Sequence, residues 1–253
     1  MPTSLLVLDI DLDLFVTPIK TGGDPDIRPD DDATAMWSEE ELSLWLEERC
    51  RLSRSSPTSG IVVEEHVSAF DYLRDLVRSG RLVKPFDFVH ADAHADFGMG
   101  TQSHHTVCCQ MLNRDAEDRD DPPCGDRSGL NSSSWLAFAA ACRWFRTLTY
   151  VHHDDLRPSY HDIPNIYLRG NDIAADSIQL KRFAPIPLDS PKRLADHPPL
   201  AFEPAIPLRL VRTKDFRLCA PPTHLIIARS PGYSPLKADR LLRVLESYVR
   251  SDA

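Results

Sequence analysis

Apolar positions along this chain follow two periods. Runs of strand length, among them FDFVHA at 86–91, TLTYV at 147–151 and HLIIA at 224–228, alternate with segments of helical spacing. The first run, LLVLDIDLDLFV at 5–16, reads as a buried strand and gives way to an acidic, turn-rich surface loop over 17–35. Ser38 and Glu41 have the spacing of a capping box, and Leu42, Trp45 and Leu46 continue on one helical face. Beyond a Ser-rich break at 53–59, IVVEEHVSAFDYLRDLVRSG passes from a short strand into a helix. Val67, Phe70, Leu73 and Val77 share a face of that helix, and Gly80 fits its C-terminal cap. A strand within FDFVHADAHADFG is followed by a polar loop at 113–134, the helix WLAFAAACRWF and a strand ending at His152. Residues 155–222 carry many prolines and short apolar runs, and no period assigns them. The chain closes with HLIIA, the turn RSPGYSP and an amphipathic helix from about 236 to 250. This alternation predicts one α/β domain over 1–253, three layers α/β/α with a mostly parallel sheet.

Charge and composition narrow the functional classes. The chain has 253 residues, 42% hydrophobic and 26% charged, with a net charge of -9. It has no basic stripe, which argues against a nucleic-acid binder. No apolar run approaches the ~20 residues of a membrane span, and the start lacks a secretory signal pattern, so a cytoplasmic protein is expected, off the membrane. Six cysteines fall outside the paired spacings of a zinc ribbon or a disulfide framework and read as reduced, partly buried thiols. Cys108 and Cys109 lie near a histidine pair, which leaves Cys-His chemistry as a minor alternative.

The opening strand poses the chemical question. Asp9, Asp11 and Asp13 fall on one face, roughly 6.6 Å apart at strand rise. Each neighbouring pair repels by on the order of 2.5 kcal/mol at an effective dielectric near 20. The first nearby cation is Lys20, past the expected strand end. Two other strands end in similar groups: Glu64, Glu65 and His66 in one, His90, Asp92, His94 and Asp96 in the other. Ligands gather beyond the carboxyl ends of parallel strands. Carboxylates with a few imidazoles suit Mn²⁺ or a similar ion, and two ions can share bridging carboxylates and a hydroxide.

DAHAD at 92–96 resembles the Asp-Ala-His-x-Asp signature of the arginase and ureohydrolase superfamily, and DIDLD at 9–13 resembles its Ser-apolar-Asp-apolar-Asp signature. EEH stands where a further histidine element occurs in that superfamily. Together with HADAHADFG and ARSPGYSP, these pieces look closest to the peptide arginases, which convert arginine to ornithine in ribosomally made precursor peptides. In the superfamily the Asp-x-Asp strand comes last, whereas here it comes first, so either the connectivity is rearranged or the sheet order is shifted. The resemblance implies two Mn²⁺ per chain, an arginine-containing precursor peptide as partner, and urea as product. Carried over, His66, Asp92, Asp96 and Asp11 hold one ion, and His94, Asp92, Asp11 and Asp13 the other. Sliding the DIDLD register by two makes Asp9 and Asp11 the ligands instead; the first register keeps the longer apolar strand ahead of them.

Weaker assignments complete the set. His104 or His105 is a candidate to shuttle a proton to the departing amine. Glu65 is expected to support His66, and Glu64 or Glu65 is a candidate partner for the substrate guanidinium. Asn131 suits either a helix N-cap or a contact to substrate backbone. His152, His153, Asp154 and Asp155 close a strand and are candidates to line the pocket, His153 as a substrate contact. Asp9 and His90 are expected behind the ligands, orienting them. Another C-N hydrolase of the same fold (agmatinase, formiminoglutamase or deacetylase type) and a non-catalytic metal-binding protein remain as alternatives.

Overall fold

Val7, Asp9 and Asp11 project from the same face of one strand, and that strand runs through the middle of the sheet. The computed structural model describes residues 5–22, 24, 27–98, 100–123, 129–156, 161–187 and 194–252. Its main sheet is built from β1 (Leu6–Asp11), β4 (Thr58–Val63), β5 (Phe86–Ala91), β6 (Phe145–His152), β7 (Ser177–Ile178), β10 (Ile206–Arg212), β11 (His224–Ala228) and β12 (Val249–Ser251). The order across it is β12-β4-β11-β1-β5-β6-β10-β7. Every pairing is parallel except that of β10 with the short edge strand β7. Two small antiparallel ribbons flank it, β2 (Val16–Thr17) with β3 (Ala35–Met36) and β8 (Lys181–Arg182) with β9 (Ala201–Phe202).

Helices cover both faces, as the alternation requires. α2 (Ser68–Arg78) and α4 (Trp135–Ala141) pack with Val7, Phe88, Tyr150 and Ile226 on one side. α1 (Glu39–Leu44) and α5 (Asp239–Glu246) pack with Leu8, Ile10, Val89, Val151 and Ile227 on the other. The capping box is present: Glu41 N–H donates to Ser38 Oγ, and Ser38 N–H to Glu41 Oε2 at 2.7 Å. Gly80 follows the last turn of α2 at φ +72°, where a side chain would be strained. Gly60 is needed for contact: a Cβ there would fall 1.8 Å from the Leu225 carbonyl oxygen of the paired strand. Among the described residues no helix is long and apolar enough to cross a membrane.

Four local features depart from the sequence reading. β1 stops at Asp11, and a 3-10 turn over Leu12–Phe15 carries Asp13, so the three aspartates do not share one strand. Residues 101–110, given no element by their pattern, are helical through α3 (Thr101–His105) and a π-helical turn at Thr106–Gln110. The proline-rich stretch contains β10, a long inner strand of the sheet. The closing helix ends at Glu246, and Val249–Ser251 pairs with β4 instead of continuing it.

Candidate metal centre

On the α2/α4 side, the residues of β1 and β5 change character along the strands, from apolar Val7 and Phe88 to charged Asp9 and His90. Asp9 is the register partner of His90, so these two buried groups lie side by side. Asp11 and the loop after β5, carrying Asp92, His94 and Asp96, lie just beyond. His66 reaches the same place from the turn between β4 and α2.

Two groups of ligand atoms result. His66 Nδ1 lies 3.0 Å from Asp11 Oδ2, 3.2 Å from Asp92 Oδ2 and 3.0 Å from Asp96 Oδ2. His94 Nδ1 lies 3.0 Å from Asp13 Oδ2 and 3.7 Å from Asp92 Oδ1. Asp92 thus offers one oxygen to each group, whereas Asp11 Oδ1 accepts the Asp13 N–H at 3.2 Å. Asp11, His66 and Asp92, and likewise Asp13, Asp92 and His94, lie close enough together to hold a metal ion, and Asp96 shares a third such group with His90 and Asp92.

The wiring behind these atoms favours a cation between them. His66 Nε2 is 3.0 Å from both oxygens of Asp9, and His94 Nε2 is 2.9 Å from the Lys20 carbonyl. With an acceptor at each Nε2, Nδ1 of each imidazole faces carboxylate oxygens, where a metal ion would take the place of a proton. In the metal-free protein burial opposes the charge of both rings, but Asp9 beside His66 and Asp13 beside His94 outweigh it and hold both well above the ordinary imidazole range. His66 Nδ1 and Asp92 Oδ2 are buried with no hydrogen-bond partner, so a proton or a metal ion must lie among these atoms. The residues present therefore fit a divalent ion.

Neighbouring groups hold the carboxylates in place. Ser230 Oγ donates to Asp11 Oδ2 at 2.5 Å, Trp135 Nε1 to Asp96 Oδ2 at 2.9 Å, and the His94 N–H to Asp92 Oδ1 at 2.7 Å. Asp96 and Ser230 adopt left-handed backbone, φ +52° and +44°, a conformation that costs on the order of 1–3 kcal/mol each outside glycine and persists where the surroundings enforce it. His90 donates from Nδ1 to Asp9 at 2.7 Å and from Nε2 to the His94 carbonyl at 3.0 Å, so acceptors at both nitrogens favour the imidazolium.

Proton affinities in the metal-free protein follow the same geometry. Burial opposes a charge on His90, but Asp92 and Asp9 outweigh it and lift its pKa to about 9. Burial and the charge of Asp92 push Asp96 up to about 6. Burial, then the charges of Asp11 and Asp92, hold Asp13 well above the usual carboxylate range. Asp92 goes the other way: burial raises it, yet the charge of His90 and the close approach of His66 and His94 hold it well below.

Above the two groups opens a cavity of about 400 Å³. Asp11, Asp13, His66, Asp92, His94 and Asp96 all line it, which brings together the six ligands expected from the sequence in the preferred DIDLD register. Asp9 and His90 lie behind them, as expected. The structure adds Ser230, Tyr233, Asp162 and, behind Asp96, Trp135.

The other expected residues lie elsewhere. His104 Nε2 contacts the Gly98 carbonyl at 3.2 Å, and His105 bonds the Ile186 carbonyl; neither lines the cavity, because α3 turns both rings toward main-chain acceptors. Glu65 accepts from Ser132 Oγ at 3.2 Å and does not touch His66, whose Nε2 is taken by Asp9. Glu64 is held by Arg229 at 2.9 and 3.0 Å. Asn131 closes a local turn, accepting from the Ser133 N–H at 3.0 Å, and Ser134 is the N-cap of α4. His153 receives the Asp155 N–H at Nδ1 and donates from Nε2 to Thr17 Oγ1 at 3.1 Å; Asp154 accepts the Lys214 N–H. His152 Nδ1 bonds the His153 carbonyl, so this cluster ties the strand end to its neighbours and does not line the cavity.

Comparison with family models, with curated proteins and with solved structures gave no match.

Proposed function

We propose that the chain is a dinuclear manganese hydrolase of the arginase type that acts on arginine side chains within a precursor peptide. The observation that carries this reading is the division of Asp92 between two imidazole–carboxylate groups at the floor of one cavity. Charge supports two ions. With His66 and His94 neutral, as metal-holding imidazoles must be, the five buried carboxylates Asp9, Asp11, Asp13, Asp92 and Asp96 set against the His90 imidazolium leave four negative charges, those of two divalent cations. The donor set of carboxylate oxygens and two imidazoles suits Mn²⁺. The DAHAD and DIDLD signatures point to guanidine chemistry among the reactions such a site supports.

His66, Asp11, Asp92 and Asp96 would hold one ion, and His94, Asp13 and Asp92 the other. Bound there, the pair supplies a hydroxide nucleophile at neutral pH and stabilises the charge that develops during attack. Hydrolysis forms one C–O bond at the guanidinium carbon and breaks its bond to Nε. Both protons of the water end on the departing amine, giving ornithine and urea. The chain's own part is to fix the floor: Asp9 and the Lys20 carbonyl keep both imidazoles in one tautomer, and Ser230 and Trp135 hold Asp11 and Asp96 against rotation.

The test is manganese reconstitution followed by incubation with an arginine-containing peptide. Urea release with a mass loss of CH₂N₂ per converted residue is expected, together with little turnover of free arginine. Release of ammonia or acetate from other amide substrates, with arginine peptides untouched, would overturn the assignment.

A further inference from the structure

Five carboxylates line the cavity, and four of them, Asp11, Asp13, Asp92 and Asp96, belong to the metal-holding groups. The fifth is Asp162. Its Oδ1 accepts the Ala95 N–H at 2.9 Å, which ties it to the loop segment between His94 and Asp96. Its own N–H also reaches the carboxylate, and burial, the largest effect, raises its pKa against the pull of the His94 charge. Lys20 is engaged elsewhere: its Nζ donates to the carbonyls of Asp24, Ile27 and Gly232 at 2.7–2.8 Å, 5.6 Å from the Tyr233 ring centre. Tyr233 itself packs edge-on against His94 at 5.0 Å and forms another part of the wall.

A carboxylate held by main-chain N–H groups in a partly buried wall is costly unless a cation meets it. Where the charge of the floor is already balanced, that cation must come from the substrate. We infer that Asp162 is the charge-selecting residue of the cavity, pairing with a cationic amidine or guanidine head group and disfavouring neutral amides of the same shape. This inference rests on the proposed reading of the site and narrows its substrate to a cation. A neutral isostere would leave Asp162 desolvated and unpaired, and sites discriminate strongly through groups left in that condition.

The experiment compares binding of acetyl-arginine amide and acetyl-citrulline amide to the manganese-loaded protein by calorimetry, beside urea release. Wild type is expected to prefer the arginine compound by about tenfold or more, the range for a hydrogen bond to a charged group. Asp162→Asn should lose that preference while keeping its metal content, because the amide oxygen still accepts the Ala95 N–H. Asp162→Glu should recover part of it. Equal preference in wild type and Asp162→Asn overturns the inference even if urea is released. A preference that follows Asp162 without urea release upholds the charge selection and overturns the arginase assignment instead.

Discussion

His66 directs Nε2 at Asp9, 3.0 Å from each carboxylate oxygen, and Nδ1 at three further carboxylates. The pair divides the labour: Asp9 holds the ring at Nε2, and the ring presents Nδ1 to the floor of the cavity. Asp9 also accepts from His90, and although burial opposes its charge, His66 and His90 keep its pKa below the ordinary value.

Asp9→Asn therefore tests the support and leaves the six floor residues in place. The amide can donate to Nε2 as well as accept from it, so the tautomer of His66 is no longer fixed. Manganese affinity should fall about 10- to 100-fold, the usual consequence of losing an outer partner of a metal-binding histidine. Titration of the metal-free protein with Mn²⁺ measures it, and an affinity equal to wild type would show that Asp9 does not orient the ring.

Asp92 and Asp13 should differ in metal stoichiometry. Asp92 contributes to both groups and Asp13 to one. Elemental analysis after reconstitution should find Asp13→Ala with about one ion per chain and Asp92→Ala with less than one. Equal loss in the two variants would mean that the groups do not fill independently.

Stability of the metal-free protein should fall as pH rises. His90 is raised in the fold from its ordinary 6.5 to about 9, so its contribution is complete below 6.5 and is lost as pH passes through about 9. Asp96, raised from 3.8 to about 6, acts in the same direction over its own lower window. Manganese binding needs deprotonated ligands and so strengthens over this range. Calorimetric melting from about pH 5 to about pH 9 should show the metal-free midpoint falling and its gap to the manganese-loaded midpoint widening. A gap that narrows would contradict the proton–metal competition.

Gly60→Ala probes the sheet beside the site. The added methyl would lie 1.8 Å from the Leu225 carbonyl oxygen, inside the distance any backbone pairing tolerates. A loss of more than about 2 kcal/mol is expected in denaturant unfolding, since the strain falls on the β4–β11 pairing. Wild-type stability in this variant would require β4 to pair differently.

The sequence made one half of this site legible and hid the other. Asp11, Asp13, His66, Asp92, His94 and Asp96 were readable because charges are conspicuous at the ends of apolar strands, and the rule placing ligands there needs no knowledge of strand order. Asp162 lies in the proline-rich stretch where periodicity fails, and Ser230 and Tyr233 lie in a turn whose path depends on tertiary contacts. β10 was obscured because Pro207 interrupts its alternation, although the proline falls beside the short edge strand β7, in register with Ser177. Val249–Ser251 continues a helical pattern yet pairs with β4, a case of sheet contacts overriding local period. His104 and His105 misled because proximity in sequence to the ligand loop says nothing of which way a helix turns their rings.

The placement of β1 has a consequence for how the molecule comes to exist. One neighbour, β5, follows it within the first hundred residues, and the six floor residues are all supplied by then. The other neighbour, β11, arrives only with His224–Ala228, and Ser230, which pins Asp11, comes directly after it. A contact spanning more than 200 positions is among the slowest to close, because the intervening chain must lose its freedom before the pairing returns anything. The candidate ion site is thus written early in the chain and completed late, and in refolding, tight uptake of the proposed manganese should trail the pairing of β1 with β5.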